Sequence, residues 1–192
     1  MKRITCFIPY GAADAVRQTM QQLSASPLVG AIYVITRDPE VEELPGAEII
    51  WAERMNCTSA MKAIAQRAES DYTLLSTKTD ALALGLFALE RFITVADDTQ
   101  SGLVYADYYA CKAGVRTPHP VIDYQKGSLR DDFDFGSVLL YRSDFLRKAV
   151  EEMTEEYRYA ALYDLRLRVS CLGALTHVSE FLYTEVEHDL RK

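Results

Sequence analysis

Four residues stand where chemistry could be done: Asp38, Arg54, Lys78 and Asp80. Each follows an apolar stretch that reads as a buried strand, and each sits among polar or turn-forming neighbours. A ligand carrying a nucleoside diphosphate needs positive charge or a metal against its phosphates. It also needs a carboxylate or backbone groups to read its base and ribose. Asp38 could read the base, Arg54 or Lys78 could neutralise phosphate, and Asp80 could bind a hard divalent cation through oxygen. Alone, an aspartate before a helix is more often an N-cap. What joins the four is their shared place just past the ends of strands.

The elements that must hold them follow from hydrophobic pattern. Ile4 to Ile8 is a nearly continuous apolar run closed by Pro9-Tyr10-Gly11, which predicts a buried strand and its turn. Asp14 can cap a helix whose Val16, Met20 and Leu23 share a face. Strands are predicted at Val29–Ile35, Ala47–Trp51 and Tyr72–Leu75, with a helix between the last two that Asn56, Thr58 or Ser59 can cap. Leu82, Leu86, Leu89 and Ile93 follow helical spacing. The first half therefore reads β-α-β-β-α-β-α. That alternation predicts a three-layer α/β/α fold, Rossmann-like, with a mostly parallel central sheet. In such sheets ligands bind outside the carboxyl ends of the strands.

The second half is less regular. A strand over Leu103–Tyr109 is followed by a long loop, residues 112 to 134, containing Pro118, Pro120, Gly127 and several aspartates. Loops of that length in compact domains are usually functional or mobile. Another strand over Val138–Tyr141, a helix capped by Ser143, a helix over residues 159 to 172 and a short strand over Leu175–Val178 complete the pattern. With no repeat or linker, residues 1–192 read as a single domain. The polar ending "TEVEHDLRK" would suit the edge of an excised domain or a plain terminal tail.

Composition narrows the function. A hydrophobic share of 49% excludes a disordered chain, and a net charge of −7 argues against a general nucleic-acid binder. Cys6, Cys57, Cys111 and Cys171 are scattered without a C-x-x-C pair, and His119, His177 and His188 are scattered too, so a zinc site is not expected. No apolar run reaches membrane length, and "MKRITCFIPYG" lacks the long apolar region of a signal peptide. A cytoplasmic, reducing setting is the expectation. The first turn, "PYGAADA", has one glycine instead of G-x-G-x-x-G, and no G-x-x-x-x-G-K occurs, which disfavours dinucleotide and P-loop binding.

The order "ITCFIPYG", "GAIYVITRD", "AEIIWA", "NCTSAMKAIAQRAESDYTLLSTKTD" and "GLVYADYY" resembles the family 2 glycosyltransferases with the A-type nucleotide-sugar fold. "GSLRDDFDFGS" and "YDLRLRVS" look like later elements of the same domain. The resemblance implies transfer of a sugar from a nucleoside-diphosphate sugar to an acceptor hydroxyl, with inversion. It implies donor contacts from Pro9, Tyr10, Gly11, Asp38, Arg54, Lys78 and Asp107, Asp107 either bonding the donor sugar or holding the loop. It also implies Mg²⁺ or Mn²⁺ on an Asp-x-Asp. Here that motif reads Thr77-Lys78-Thr79-Asp80, which leaves Asp80 as the metal ligand and predicts weak or no metal dependence, Lys78 taking part of the cation's work. The acidic pair expected of the catalytic helix is Ala161-Leu162, leaving Asp164 as base, with Asp131, Asp132 and Asp134 as rivals. The alternative is a non-catalytic domain of this fold that binds a sugar nucleotide or a protein partner. A nucleotidyltransferase would want a Gly-rich loop with a basic residue after the first strand, which "PYGAADA" is not.

Overall fold

The computed structural model describes residues 3–127 and 133–187. Asp131 and Asp132, two of the rival bases, and His188 lie outside the described residues. The elements are β1 (Ile4–Pro9), α1 (Ala13–Ser24), β2 (Val29–Thr36), β3 (Glu48–Trp51), α2 (Thr58–Arg67), β4 (Tyr72–Ser76), β5 (Ala81–Leu84), α3 (Ala88–Thr99), β6 (Leu103–Lys112), β7 (Val115–His119), β8 (Val138–Arg142), α4 (Ser143–Glu151), α5 (Ala161–Leu172) and β9 (Leu175–Val186).

One sheet carries them in the order β3-β2-β1-β4-β8-β6-β9-β5, with β7 hanging from β6. β1 to β4 are mutually parallel; β8 enters antiparallel, and β6 and β9 return to the direction of β1. Most strands therefore run one way, as the alternating pattern implies. β5 and β7 run against them as antiparallel partners of β9 and β6.

Adjacent side chains of a strand point to opposite faces, and β4 shows what covers each. Tyr72 reaches α3 through its hydroxyl, 2.6 Å from Asp97, while Thr73 meets Ser143 of α4 at 2.8 Å on the other side. β1 and β4 are buried almost throughout, with Ile4, Cys6, Phe7, Leu74 and Leu75 fully enclosed, so strands read as continuous apolar runs are central ones. All four cysteines are free, Cys6 and Cys57 buried and Cys171 exposed.

Four expectations need correction. Ala81–Leu84 is a strand, and α3 begins only at Ala88. The apolar spacing of Leu82, Leu86 and Leu89 also fits a short buried strand and a turn, and pairing with β9 decides it. Residues 112 to 134 are not loop throughout, because Val115–His119 folds back on β6 as β7. The last strand does not stop at Val178 but runs to Val186, so the polar ending begins in the sheet, at Thr184–Val186, with Glu185 paired to Ala110. Finally, Asp14 and Ser143 lie inside their helices and make no cap hydrogen bond. Among the described residues no helix is long and apolar enough to cross a membrane.

Candidate functional site

The register brings the four strand-end segments to one edge. Pro9 pairs with Ile35, Ile35 with Ile50, and Phe7 with Leu75, so Tyr10-Gly11, Arg37-Asp38, Glu53-Arg54 and Thr77–Asp80 all leave the sheet on the same side. Two of these turns touch. A Cβ on Gly11 would stand 2.6 Å from Thr79 Cβ and 3.0 Å from Thr79 O, so only glycine lets the first turn lie against the polar one. Tyr10 is tied back by its N–H to Ile35 O at 2.8 Å.

Asp38 is exposed and accepts the Glu40 N–H at 2.9 Å, closing its own turn. Arg54 lays its guanidinium over the Tyr159 ring, 4.6 Å from the centroid, with Glu53 3.8 Å from its Nε. Asp80 makes no hydrogen bond or ion pair among the described residues, and it does not cap α3.

Lys78 is the most determined of the group. Its Nζ donates to Glu185 Oε2 at 2.6 Å and stands 5.4 Å from the Tyr108 ring centroid. Glu185 is buried, at 7% side-chain exposure, whereas Lys78 remains 46% exposed. The pair is thus a fixed anion beneath a reachable cation. Burial opposes the charge on Lys78, but the hydrogen bond to Glu185 and the negative charges of Glu185 and Asp134 outweigh it and raise the ammonium above an ordinary lysine. Glu185 Oε1 has no hydrogen-bond partner among the described residues. The surrounding shell is aromatic and closed. Tyr183 stacks on Tyr108 at 5.4 Å, and its hydroxyl accepts the Ser137 N–H at 2.9 Å. Burial pushes the Tyr183 phenol far above its ordinary range, which keeps it a neutral hydroxyl. Gly136, at φ +70°, packs so tightly there that a Cβ would stand 2.2 Å from that hydroxyl.

Sequence reasoning passed over Glu185, Tyr183 and His119. For Tyr183 and Glu185 the signal was the alternation in "FLYTEV", where the two fall on one face, a strand pattern whose end, from Thr184, was taken with the polar ending.

Asp107 is buried and already committed. Its Oδ1 accepts the Val121 N–H at 2.8 Å and lies 2.8 Å from His177 Nε2, while His177 Nδ1 lies 2.7 Å from Asp123. With the Tyr105 hydroxyl donating to Ile122 O at 2.8 Å and accepting from Tyr124 N–H at 2.7 Å, these groups strap residues 121 to 124 onto β6. Asp164, one turn into α5, is 2.6 Å from Arg168 Nε and lines a groove of about 440 Å³ with Tyr124, Lys126 and Arg168. Ala161 and Leu162 are buried. The structure thus joins Lys78 to the edge formed by Gly11 and Thr79, and keeps Asp107 and Asp164 in separate clusters.

A metal fits this edge only in company. No group of three His, Cys, Asp or Glu residues is gathered among the described residues, and Asp80 is a single carboxylate. Mg²⁺ is commonly held by one or two carboxylates with the phosphates supplying further oxygens. Asp80 would therefore hold an ion that arrives with a diphosphate.

No family model matches the chain, and no characterised protein matches it in sequence. Solved structures match the fold. TarS 1–349 of S. aureus superposes with a TM-score of 0.61 at 12% identity, over 96% of this chain and 60% of that one. Its complexes with UDP and with UDP-GlcNAc give 0.63 and 0.62, at 11% and 10% identity. A CMP:2-keto-3-deoxy-manno-octonic acid synthetase complexed with CTP gives 0.54 at 14% identity, over 93% of this chain and 91% of that one. The chain spans about 60% of the length of the TarS structures. The resemblance drawn from the sequence to the A-type nucleotide-sugar fold of the family 2 glycosyltransferases holds at the level of fold.

Proposed function

We propose that the chain binds a nucleoside-diphosphate sugar across the carboxyl edge of β1 to β4 and transfers its sugar to an acceptor hydroxyl with inversion. The observation that carries this reading is Lys78, held by a buried carboxylate at the end of β4 yet open to a ligand. The likeness to structures solved with UDP, UDP-GlcNAc and CTP supports it at the coarser level of a nucleotide-sugar-using transferase.

In this reading Asp38 takes the base, and the Pro9-Tyr10-Gly11 turn lies along the donor. Arg54 and Lys78 face the diphosphate. As the anomeric C–O bond breaks, charge builds on the leaving diphosphate, and a fixed ammonium stabilises it without reorganising. Because Glu185 holds Lys78 in place before the donor arrives, that stabilisation is preorganised. An ion on Asp80, when present, would share the same charge. Asp107 acts at one remove, by holding the loop over Tyr105.

A second reading is a non-catalytic domain of the same fold that binds a sugar nucleotide or a partner. The observation in its favour is the catalytic helix, where Ala161 and Leu162 are buried and Asp164 is paired with Arg168. Calorimetric titration with UDP, GDP and their sugars, with Mn²⁺ and with EDTA, tests the donor site. Binding that persists in EDTA and is lost in Lys78→Met supports the lysine as the phosphate group's partner. Binding that requires Mn²⁺ and is lost in Asp80→Ala assigns that work to the metal. Binding without transfer supports the second reading, and no binding contradicts the first and leaves of the second only a domain that binds a partner.

A further inference from the structure

His119 ends β7 directly across the ladder from Tyr108 of β6, which in turn pairs with Tyr183 of β9. The three rings occupy one cross-strand row on one face of the sheet. Tyr108 stacks on His119 at 4.5 Å, and Lys78 Nζ stands 5.4 Å from the same Tyr108 ring. The imidazole and the ammonium therefore flank a single side chain at the carboxyl edge.

The imidazole is also oriented. His119 Nε2 lies 2.8 Å from Asp134 Oδ2, and Asp134 Oδ1 accepts the Gly136 N–H at 2.8 Å, which fixes the carboxylate. An ionised carboxylate only accepts, so Nε2 carries the hydrogen, and in the neutral imidazole the lone pair is on Nδ1. No hydrogen bond among the described residues occupies Nδ1, and the side chain is 46% exposed. The other charged groups facing this cluster are Lys78 and Glu185.

Sugar transfer to a hydroxyl needs a base for the hydroxyl proton. The helix where an acidic pair was expected offers Ala161 and Leu162, and Asp164 is engaged by Arg168. We propose that His119, oriented by Asp134, is the general base of the transfer, an inference that rests on the nucleotide-sugar reading above. The acceptor oxygen attacks the anomeric carbon and forms the new C–O bond. The bond from that carbon to the diphosphate breaks, its electron pair leaving with the nucleoside diphosphate beside Lys78. The hydroxyl proton passes to His119 Nδ1. Asp134 is a positioning residue.

The test separates binding from turnover. UDP-glucose, UDP-GlcNAc and GDP-mannose serve as probes, each with water and with a panel of simple sugars as acceptors. Binding is followed by calorimetry and release of UDP or GDP by a coupled assay. His119→Ala is expected to bind within about threefold of the unsubstituted protein and to lose release by about 10²-fold or more. Added imidazole should restore part of it, which a purely structural loss would not allow. Asp134→Asn should lose less and shift the pH profile of release. His119→Gln, which keeps a donor for Asp134, guards against a fold defect in the alanine variant, and thermal unfolding checks both. Release unchanged in both His119 variants overturns the assignment, as does release lost in Asp164→Asn alone. Binding without release by the unsubstituted protein also overturns it. Absence of any binding instead sinks the nucleotide-sugar reading on which it depends.

Discussion

The two ends of the sheet hold polar residues in opposite ways. At the carboxyl edge of β1 to β4, Asp38 and Asp80 are exposed or half-buried and bond nothing beyond their own turns among the described residues, and Arg54 rests on the Tyr159 ring. Around β6, β8 and β9 they are committed to one another: Tyr183 to Ser137, Asp107 to Val121 and His177, Glu185 to Lys78. The first region keeps its groups for a ligand, while the second spends them on structure. Lys78 belongs to both, anchored in the second and exposed toward the first. The contrast teaches that a polar residue in a loop is a site candidate in proportion to what remains unbonded once the fold is made.

Substitutions should separate the two regions. The largest stability loss is expected for Gly136→Ala, where a left-handed φ and a 2.2 Å approach to Tyr183 Oη act together. Overpacking and positive-φ strain give about 2–4 kcal/mol, read from chemical denaturation. Tyr183→Phe comes next, leaving the buried Ser137 and Val138 N–H groups without their acceptor at a cost of about 1–3 kcal/mol.

Lys78→Met should lie between the regions in kind. It leaves Glu185 buried and uncompensated, a cost of about 1–3 kcal/mol that Lys78→Met/Glu185→Gln recovers in a double-mutant cycle. The same change should weaken nucleoside diphosphate binding. Asp38→Ala and Asp80→Ala should each move stability by less than about 0.5 kcal/mol. A cost near that of Tyr183→Phe at either aspartate would erase the contrast.

The smallest effect is one of pH, at the opposite edge of the sheet. The hydrogen bond from Arg3, aided by Tyr72 and by nearby arginine charge, holds the Asp97 carboxyl below the ordinary value of 3.8 despite its partial burial. A depressed carboxylate contributes stability above its unfolded pKa and loses it as pH falls through the folded one. Thermal midpoints should therefore drop below about pH 4, and by less in Asp97→Asn.

What could be read from the sequence divides along the same line. β1 and β4 were legible because strands buried on both faces are nearly continuous apolar runs, as in "ITCFI" and "YTLL", and β2 by its apolar Ala31–Ile35. The edge they share followed from the alternation of strands and helices. β5 was not legible, being a short antiparallel strand whose identity depends on a distant partner in β9, and β7 was not because it is exposed throughout and contains Pro118, although it forms a tight hairpin with β6. The end of β9 hid behind its charged residues, since Glu185 is buried only because Lys78, 107 positions away, meets it. Hence Lys78 was visible as a candidate, but its anchor was not.

The most direct test of the central claim is an amide NMR titration of the labelled protein with UDP and with GDP. Shifts concentrated at Gly11, Thr36–Asp38 and Thr77–Asp80 are predicted, and they should vanish in Lys78→Met. A competing polar cavity of about 280 Å³ lies at the amino edge of the sheet, lined by Arg3, Asp97, Arg142 and Arg147. Shifts gathered there, or none at the carboxyl edge, would contradict the account.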